Sequence, residues 1–184
     1  PARIPAGSVC GEVATQLDML PTIAAMTGAA VPADRVIDGK SILPLMTAEA
    51  GATSPHEAFF YYRGDRLDAV RSGDWKLMFA HTKRDENPYG GARPDDNDPM
   101  PEALYNLRED IGESRNVLAD HPGVADRLRA LADAMRAELG DTRAGVEGSG
   151  RRPWGMAPEG MLEAWMKKYV PENPVIKPKG PRAS

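Results

Sequence analysis

A single cysteine, Cys10, excludes an internal disulfide and any multi-cysteine metal site. The three histidines, His56, His81 and His121, stand too far apart for a ligand pair at i, i+4. No apolar run approaches the roughly 20 residues that span a bilayer, so no membrane span is expected. Positive charge is not in excess either. Lys and Arg total 23 against 27 Asp and Glu, a net charge of −4 mixed along the chain. That removes the electrostatic footprint of a nucleic-acid partner. No initiator methionine and no signal peptide are visible; the chain opens at Pro1 on what reads as mid-domain sequence, and the compartment stays open. What is present is a hydrophobic content of 41%, enough for a globular core, with 17 prolines and 18 glycines that imply many turns.

Three regions follow from periodicity and turn signals. In residues 1–50, Ser8 to Ala14 suits a strand or strand end. Asp18 is placed to cap a helix through Met26, with Gly28 as its C′ residue. After the Asp38–Gly39 turn, Ser41 is the expected cap of a short helix, Ile42 to Met46, which tolerates Pro44 in its first turn. Residues 55–140 change texture. Ala58 to Tyr62, Leu67 to Arg71, Trp75 to Ala80 and Ala103 to Leu107 read as strands of an antiparallel meander, the last two separated by a polar loop, His81 to Pro101. Asp120 and Pro122 open a helix whose stripe is Val124, Leu128, Leu131, Met135 and Leu139, ended by Gly140. Residues 141–184 read as a Pro/Gly-rich tail with one amphipathic segment, Glu159 to Tyr169.

These landmarks resemble a known family. Gln16-Leu-Asp-Met-Leu-Pro-Thr-Ile-Ala-Ala-Met-Thr-Gly28 and Ile37-Asp-Gly-Lys-Ser-Ile-Leu-Pro-Leu45 are similar to the last helix and following segment of the sulfatase catalytic domain. Phe59-Phe-Tyr-Tyr62, Ala69-Val-Arg-Ser-Gly-Asp-Trp-Lys-Leu77, Leu104-Tyr-Asn-Leu107 and Asp110-Ile-Gly-Glu-Ser-Arg-Asn116 look like its C-terminal subdomain, in the right order, with the arylsulfatase branch nearest. The resemblance implies the end of an alkaline-phosphatase-like α/β domain. A small α+β subdomain follows, a four-stranded antiparallel sheet with one packed C-terminal helix. It also implies a parent enzyme hydrolysing sulfate esters. Its formylglycine, made in a Cys/Ser-x-Pro-x-Arg motif, and its calcium ion lie in an N-terminal part that this chain lacks. Cys10 precedes Gly-Glu-Val-Ala, without that proline or arginine. No catalytic or metal-binding residue is therefore assigned to this chain, which alone is expected to be inactive.

The remaining candidates are weighed residue by residue. His81 opens the loop that in arylsulfatase-like proteins approaches the active-site mouth, and is the one substrate-mouth candidate. Asp68, Arg71 and Lys76 are expected to support a docking surface for the missing N-terminal domain. Cys10 reads as a buried small hydrophobe and Asp95 to Asp98 as a solvated acidic loop. Asp110 to Glu113 reads as a turn, with Gly112 at positive φ. His121 reads as structural, and His56 has no visible partner. Phe59, Phe60, Tyr61, Tyr62 and Trp75 are expected in sheet core and interdomain packing. Two rivals stay open: a related phosphate or phosphonate ester hydrolase, and a stand-alone interaction module docking through Trp154 and Trp165. An amputated catalytic domain should expose the apolar faces of residues 9–46, whereas a stand-alone module should not.

Overall fold

A computed structural model of the chain describes residues 3–86 and 95–151, with 160, 161, 164, 165 and 167. One compact unit spans Pro1–Arg151 and a second Arg152–Ser184. In the second unit Met161, Ala164, Trp165 and Lys167 are helical. The rest of the expected Glu159–Tyr169 helix, and Trp154, lie outside the described residues.

The first unit opens on a 3-10 turn, Gln16–Asp18, that runs straight into helix α1, Met19–Thr27. A short helix α2, Leu43–Met46, follows. Four strands, β1 (Phe59–Arg63), β2 (Arg66–Ser72), β3 (Trp75–Met78) and, after the intervening segment, β6 (Ala103–Asn106), form an antiparallel sheet in the order β1-β2-β3-β6. Between β3 and β6 the chain makes a second pair, β4 (His81–Thr82) and β5 (Pro99–Met100), with a helical turn α3 (Lys83–Glu86) after β4. The expected polar loop therefore carries a small ladder of its own, although Gly90 and Gly91 lie outside the described residues. Helix α4, Pro122–Leu139, closes the unit.

The core is one row of side chains across the sheet. Phe60, Val70, Leu77 and Leu104 are register partners strand to strand, and α4 lays Ala125, Leu128 and Ala132 over them, all three fully buried. The apolar stripe is thus rotated from the expected one. Leu139 is exposed and Val124 and Leu131 only flank the core, because the two alanines let the helix approach more closely than leucines would. Phe60, Tyr62 and Trp75 pack on this side of the sheet. Phe59 and Tyr61 meet edge to face on the other, centroids 4.9 Å apart. Asn116 pins β6 by accepting from the Leu104 and Leu118 amides and donating to the Glu102 carbonyl.

Residues 12–56 are stitched together by polar groups. The fully buried Asp18 is no helix cap. Its carboxylate accepts from the Thr15 amide at 2.8 Å and the Lys40 amide at 2.9 Å, and meets His56 Nε2 at 2.7 Å. Thr15 does the capping instead, its hydroxyl accepting from the Leu17 amide, so cap and acid form a reciprocal capping box. Lys40 can reach Asp18 only because residue 39 is glycine: a Cβ there would lie 1.9 Å from the Leu17 carbonyl oxygen. Thr22 Oγ1 takes the Ile42 amide, and Ser54 Oγ donates to the Val13 carbonyl. His56, without a visible partner in the sequence, is therefore part of this joint.

Other expectations are corrected. Ser8 to Ala14 forms no strand, since no strand among the described residues lies beside it to take its backbone hydrogen bonds, and Val9 is 96% exposed. Cys10 is exposed rather than buried. Ser41 offers Leu43 only a long contact, 3.4 Å, and Ile42 occupies the cap position of α2. His121, not Asp120, sits at the N-cap of α4, its ring against Trp75 with centroids 4.8 Å apart. In the 110–113 turn it is Glu113, not Gly112, that has positive φ, 55°. The Glu113 carboxylate is held by Lys76 Nζ at 2.6 Å.

Candidate functional site

Two neighbouring recesses share His81. The first, about 220 Å³, lies on the face of the sheet opposite α4 and is lined by Tyr61, Arg63, Asp68, Ala69, Lys76, Met78 and His81. The second, about 490 Å³ and more open, adds Arg66, Ala80, Thr82, Asp85, Thr142 and Arg143.

A β-bulge shapes the wall between them. The β1–β2 register slips between Tyr61 and Tyr62, so that Tyr61 faces Ala69 but Tyr62 faces Leu67, leaving Asp68 as the extra residue. Asp68 bonds Arg63 Nε at 2.7 Å and Arg143 at 2.8 Å. Arg63 and Arg66 are directly opposed at the hairpin end, an unfavourable pairing unless each finds a carboxylate. Asp68 serves the first and Asp85 the second. Asp85 also accepts from the Thr82 amide and hydroxyl. Burial pushes the Asp85 carboxyl up, but the Thr82 amide and the Arg66 guanidinium outweigh it and bring its pKa to about 2.

Arg143 arrives from the segment after α4. There Asp141, almost fully buried, accepts from Arg136 Nε at 2.9 Å and from the Arg143 amide at 3.0 Å. Tyr62 donates its hydroxyl to the Gly140 carbonyl at 2.8 Å, and the Thr142 amide donates to the Asp65 carbonyl. The Tyr62 hydroxyl pKa is raised, by burial first and by the Asp141 charge second. His81 itself faces the Phe79 carbonyl with Nδ1 at 2.9 Å. A carbonyl only accepts, so Nδ1 carries a hydrogen and donates it to Phe79.

Of the docking candidates, Asp68 and Lys76 line the first recess, Lys76 with its Nζ 5.0 Å from the Tyr61 ring centroid. Arg71 does not. It ties the N-terminal segment down by donating to the Gly11 carbonyl at 3.1 Å. Arg63, Arg66, Asp85 and Arg143 were not singled out in the sequence; the opposed arginines flanking the Gly64–Asp65 turn were the available signal. The Asp95–Asp98 run is answered by Lys83, whose Nζ is 3.0 Å from both terminal carboxylates.

The Asp85 interactions set a pH dependence. A depressed folded pKa contributes stability above the ordinary carboxyl pKa near 4 and loses it as pH falls through 4 toward 2. The increment is about 2 kcal/mol. Denaturant midpoints measured from pH 5 to pH 2 should fall less steeply for Asp85→Asn than for the unsubstituted chain; identical slopes would rule Asp85 out as the source.

A family profile described as the C-terminal region of aryl-sulfatase matches residues 54–156. The chain belongs to the sulfatase family. It is 36% identical to human arylsulfatase D over 135 residues, covering 65% of this chain and 23% of that protein. Against mouse steryl-sulfatase it is 32% identical over 162 residues, 76% of this chain and 25% of the relative. Human arylsulfatase A is 33% identical over 148 residues, 74% and 27% of the two chains. The chain thus spans about a quarter of the length of these sulfatases, matching their C-terminal region. Among solved structures, Ps i-CgsB in complex with k-i-k-neocarrahexaose superposes with a TM-score of 0.56 at 19% identity, covering 94% of this chain and 32% of that one. BT4656 in complex with its substrate D-glucosamine-2-N,6-O-disulfate gives a TM-score of 0.50 at 22% identity, over 74% and 26%. These likenesses show the fold, a four-stranded antiparallel sheet with one packed helix.

The described residues do not fit the family's two cofactors. Cys10 is exposed and outside any Cys-x-Pro-x-Arg motif, and no three His, Cys, Asp or Glu side chains among the described residues converge as metal ligands. No helix among the described residues is long and apolar enough to cross a membrane.

Proposed function

We propose that this sulfatase C-terminal region works as part of an enzyme that hydrolyses sulfate esters, bracing its catalytic domain and shaping the mouth of the active site around His81. Formylglycine and calcium belong, on this reading, to the N-terminal part that the relatives carry, and the chain alone does no chemistry. One observation carries the docking role. Leu17, Met19, Leu20, Ile23 and Met26 are each about half exposed along one short stretch, and Val36 is 68% exposed. Five large apolar side chains in ten residues form a face that water disfavours and that a larger body would cover.

The stand-alone interaction module predicts the opposite surface, so this face weighs against it. His81 suits a substrate mouth because its ring lines both neighbouring recesses. The test is to read the coding DNA upstream of Pro1 for an in-frame Cys/Ser-x-Pro-x-Arg motif. A threonine nucleophile in its place would move the parent to phosphate ester chemistry, and a start codon at Pro1 would remove the catalytic role.

A further inference from the structure

Three residues around His81, namely Phe79, Ala80 and Thr82, are each pinned by a different member of one ion-pair network. The Phe79 amide donates to the backbone carbonyl of Asp68 at 2.9 Å, and the Phe79 carbonyl in turn takes His81 Nδ1. Arg143 donates through Nη1 to the Ala80 carbonyl at 3.4 Å. Asp85 accepts from the amide and the hydroxyl of Thr82, at 2.9 and 3.0 Å. The pinning residues are themselves joined. Arg143 Nη2 donates to the Asp68 carboxylate at 2.8 Å and lies 3.9 Å from that of Asp85. Arg63 and Arg66 hold the outer ends, one on each acid.

The ladder that carries His81 does not fix its place unaided. β4 and β5 pair over two residues each, His81 with Met100 and Thr82 with Pro99. A ladder this short is marginal in water, and a proline in it removes a donor. The network supplies the missing restraint. The side chains of Asp68, Asp85 and Arg143 are only 20%, 16% and 23% exposed, so salt and water weaken their pairing less than that of a surface pair. Arg143 is set from behind, its amide donating to the almost fully buried Asp141, which Arg136 of α4 also holds. The guanidinium fork lets one side chain grip an acid and a carbonyl together, which a single ammonium nitrogen does less well.

From this geometry we infer that Arg143, Asp85 and Asp68 are positioning residues for His81, acting through it rather than on substrate. Resting on the proposed function, this makes the segment after α4 a determinant of substrate affinity at the mouth. Arg143 is the joint of the device, because it alone meets both acids and the Ala80 carbonyl.

The first measurement is the histidine ring spectrum of the chain, a proton–carbon correlation at Cε1, with His56, His81 and His121 assigned from His→Gln variants. Arg143→Gln and Asp85→Asn should each move the His81 signal and leave that of His56 in place. Arg143→Lys, which keeps the charge but not the fork, should move it less. Arg129→Gln, which breaks the α4 ion pair with Glu102, should leave His81 unmoved. The second measurement is steady-state hydrolysis of a sulfate ester by the uninterrupted gene product. Arg143→Gln should raise KM about tenfold with kcat little changed, and should add little in a His81→Gln background. A His81 signal unmoved by both Arg143→Gln and Asp85→Asn, or KM increases from Arg143→Gln and His81→Gln that multiply, overturns the inference. The ring spectra involve no catalysis, so they decide the positioning even if the gene product hydrolyses no sulfate ester, a result that would count against the proposed function alone.

Discussion

Asp18→Ala is expected to lower stability by about 3–5 kcal/mol, a large part of the total for a domain of this size. The carboxylate is fully buried and holds two amides and one imidazole drawn from three separate segments, at Thr15, Lys40 and His56. Removing it takes the acceptor from two amides and leaves the Thr15, Lys40 and His56 segments without their common tie. The direct readout is amide hydrogen exchange at Thr15 and Lys40, which should lose protection while Leu77 and Leu104 in the sheet keep theirs. Full protection in the variant would show that Asp18 is not the tie. Burial pushes the Asp18 carboxyl up, but the Lys40 and Thr15 amides and His56 outweigh it and hold its pKa below the ordinary range. With the folded pKa depressed, the contribution is complete above about pH 4 and is lost only as pH falls below that.

Arginine at Leu20 and Ile23 is expected to have opposite effects in two settings. In the chain alone both side chains are half exposed, so Leu20→Arg/Ile23→Arg should reduce self-association and dye binding to apolar surface. In a protein that includes the N-terminal part, the proposed docking covers the same face, and two unpaired charges would each cost several kcal/mol to bury. Soluble, active enzyme should then be lost. A doubly substituted enzyme that folds and turns over normally would remove the docking role of α1.

The motifs that made this chain legible carry architecture, not chemistry. Asp18 and Thr22 of the first motif, and Gly39 of the second, build the joint; Gly39 is there because the Leu17 carbonyl leaves no room for a Cβ. Gly73 turns β2 into β3 at φ 56°, Trp75 packs on His121, Lys76 holds Glu113 and Asn116 pins β6. Strand and helix order could be read because alternation, turn residues and the 3.6 period are local signals. Three features were not local. The bulge at Asp68 depends on register between two strands. The rotation of α4 toward Ala125 and Ala132 depends on how closely it meets the sheet. The His81 groove gathers Arg63, Arg66, Asp85 and Arg143 from segments up to 80 residues apart, with only the opposed arginines to hint at it. The failed strand at Ser8 to Ala14 is of the same kind, for pairing is non-local and no strand among the described residues lies beside it.

The central claim is that this chain completes an enzyme for sulfate esters. The measurement that tests it is the hydrolysis rate of the uninterrupted gene product on an aryl sulfate and on the matching aryl phosphate. Faster turnover of the sulfate, lost when residues 1–184 of this chain are deleted and restored by adding them back, is the predicted result. Preference for the phosphate, or sulfate hydrolysis unaffected by the deletion, would contradict it.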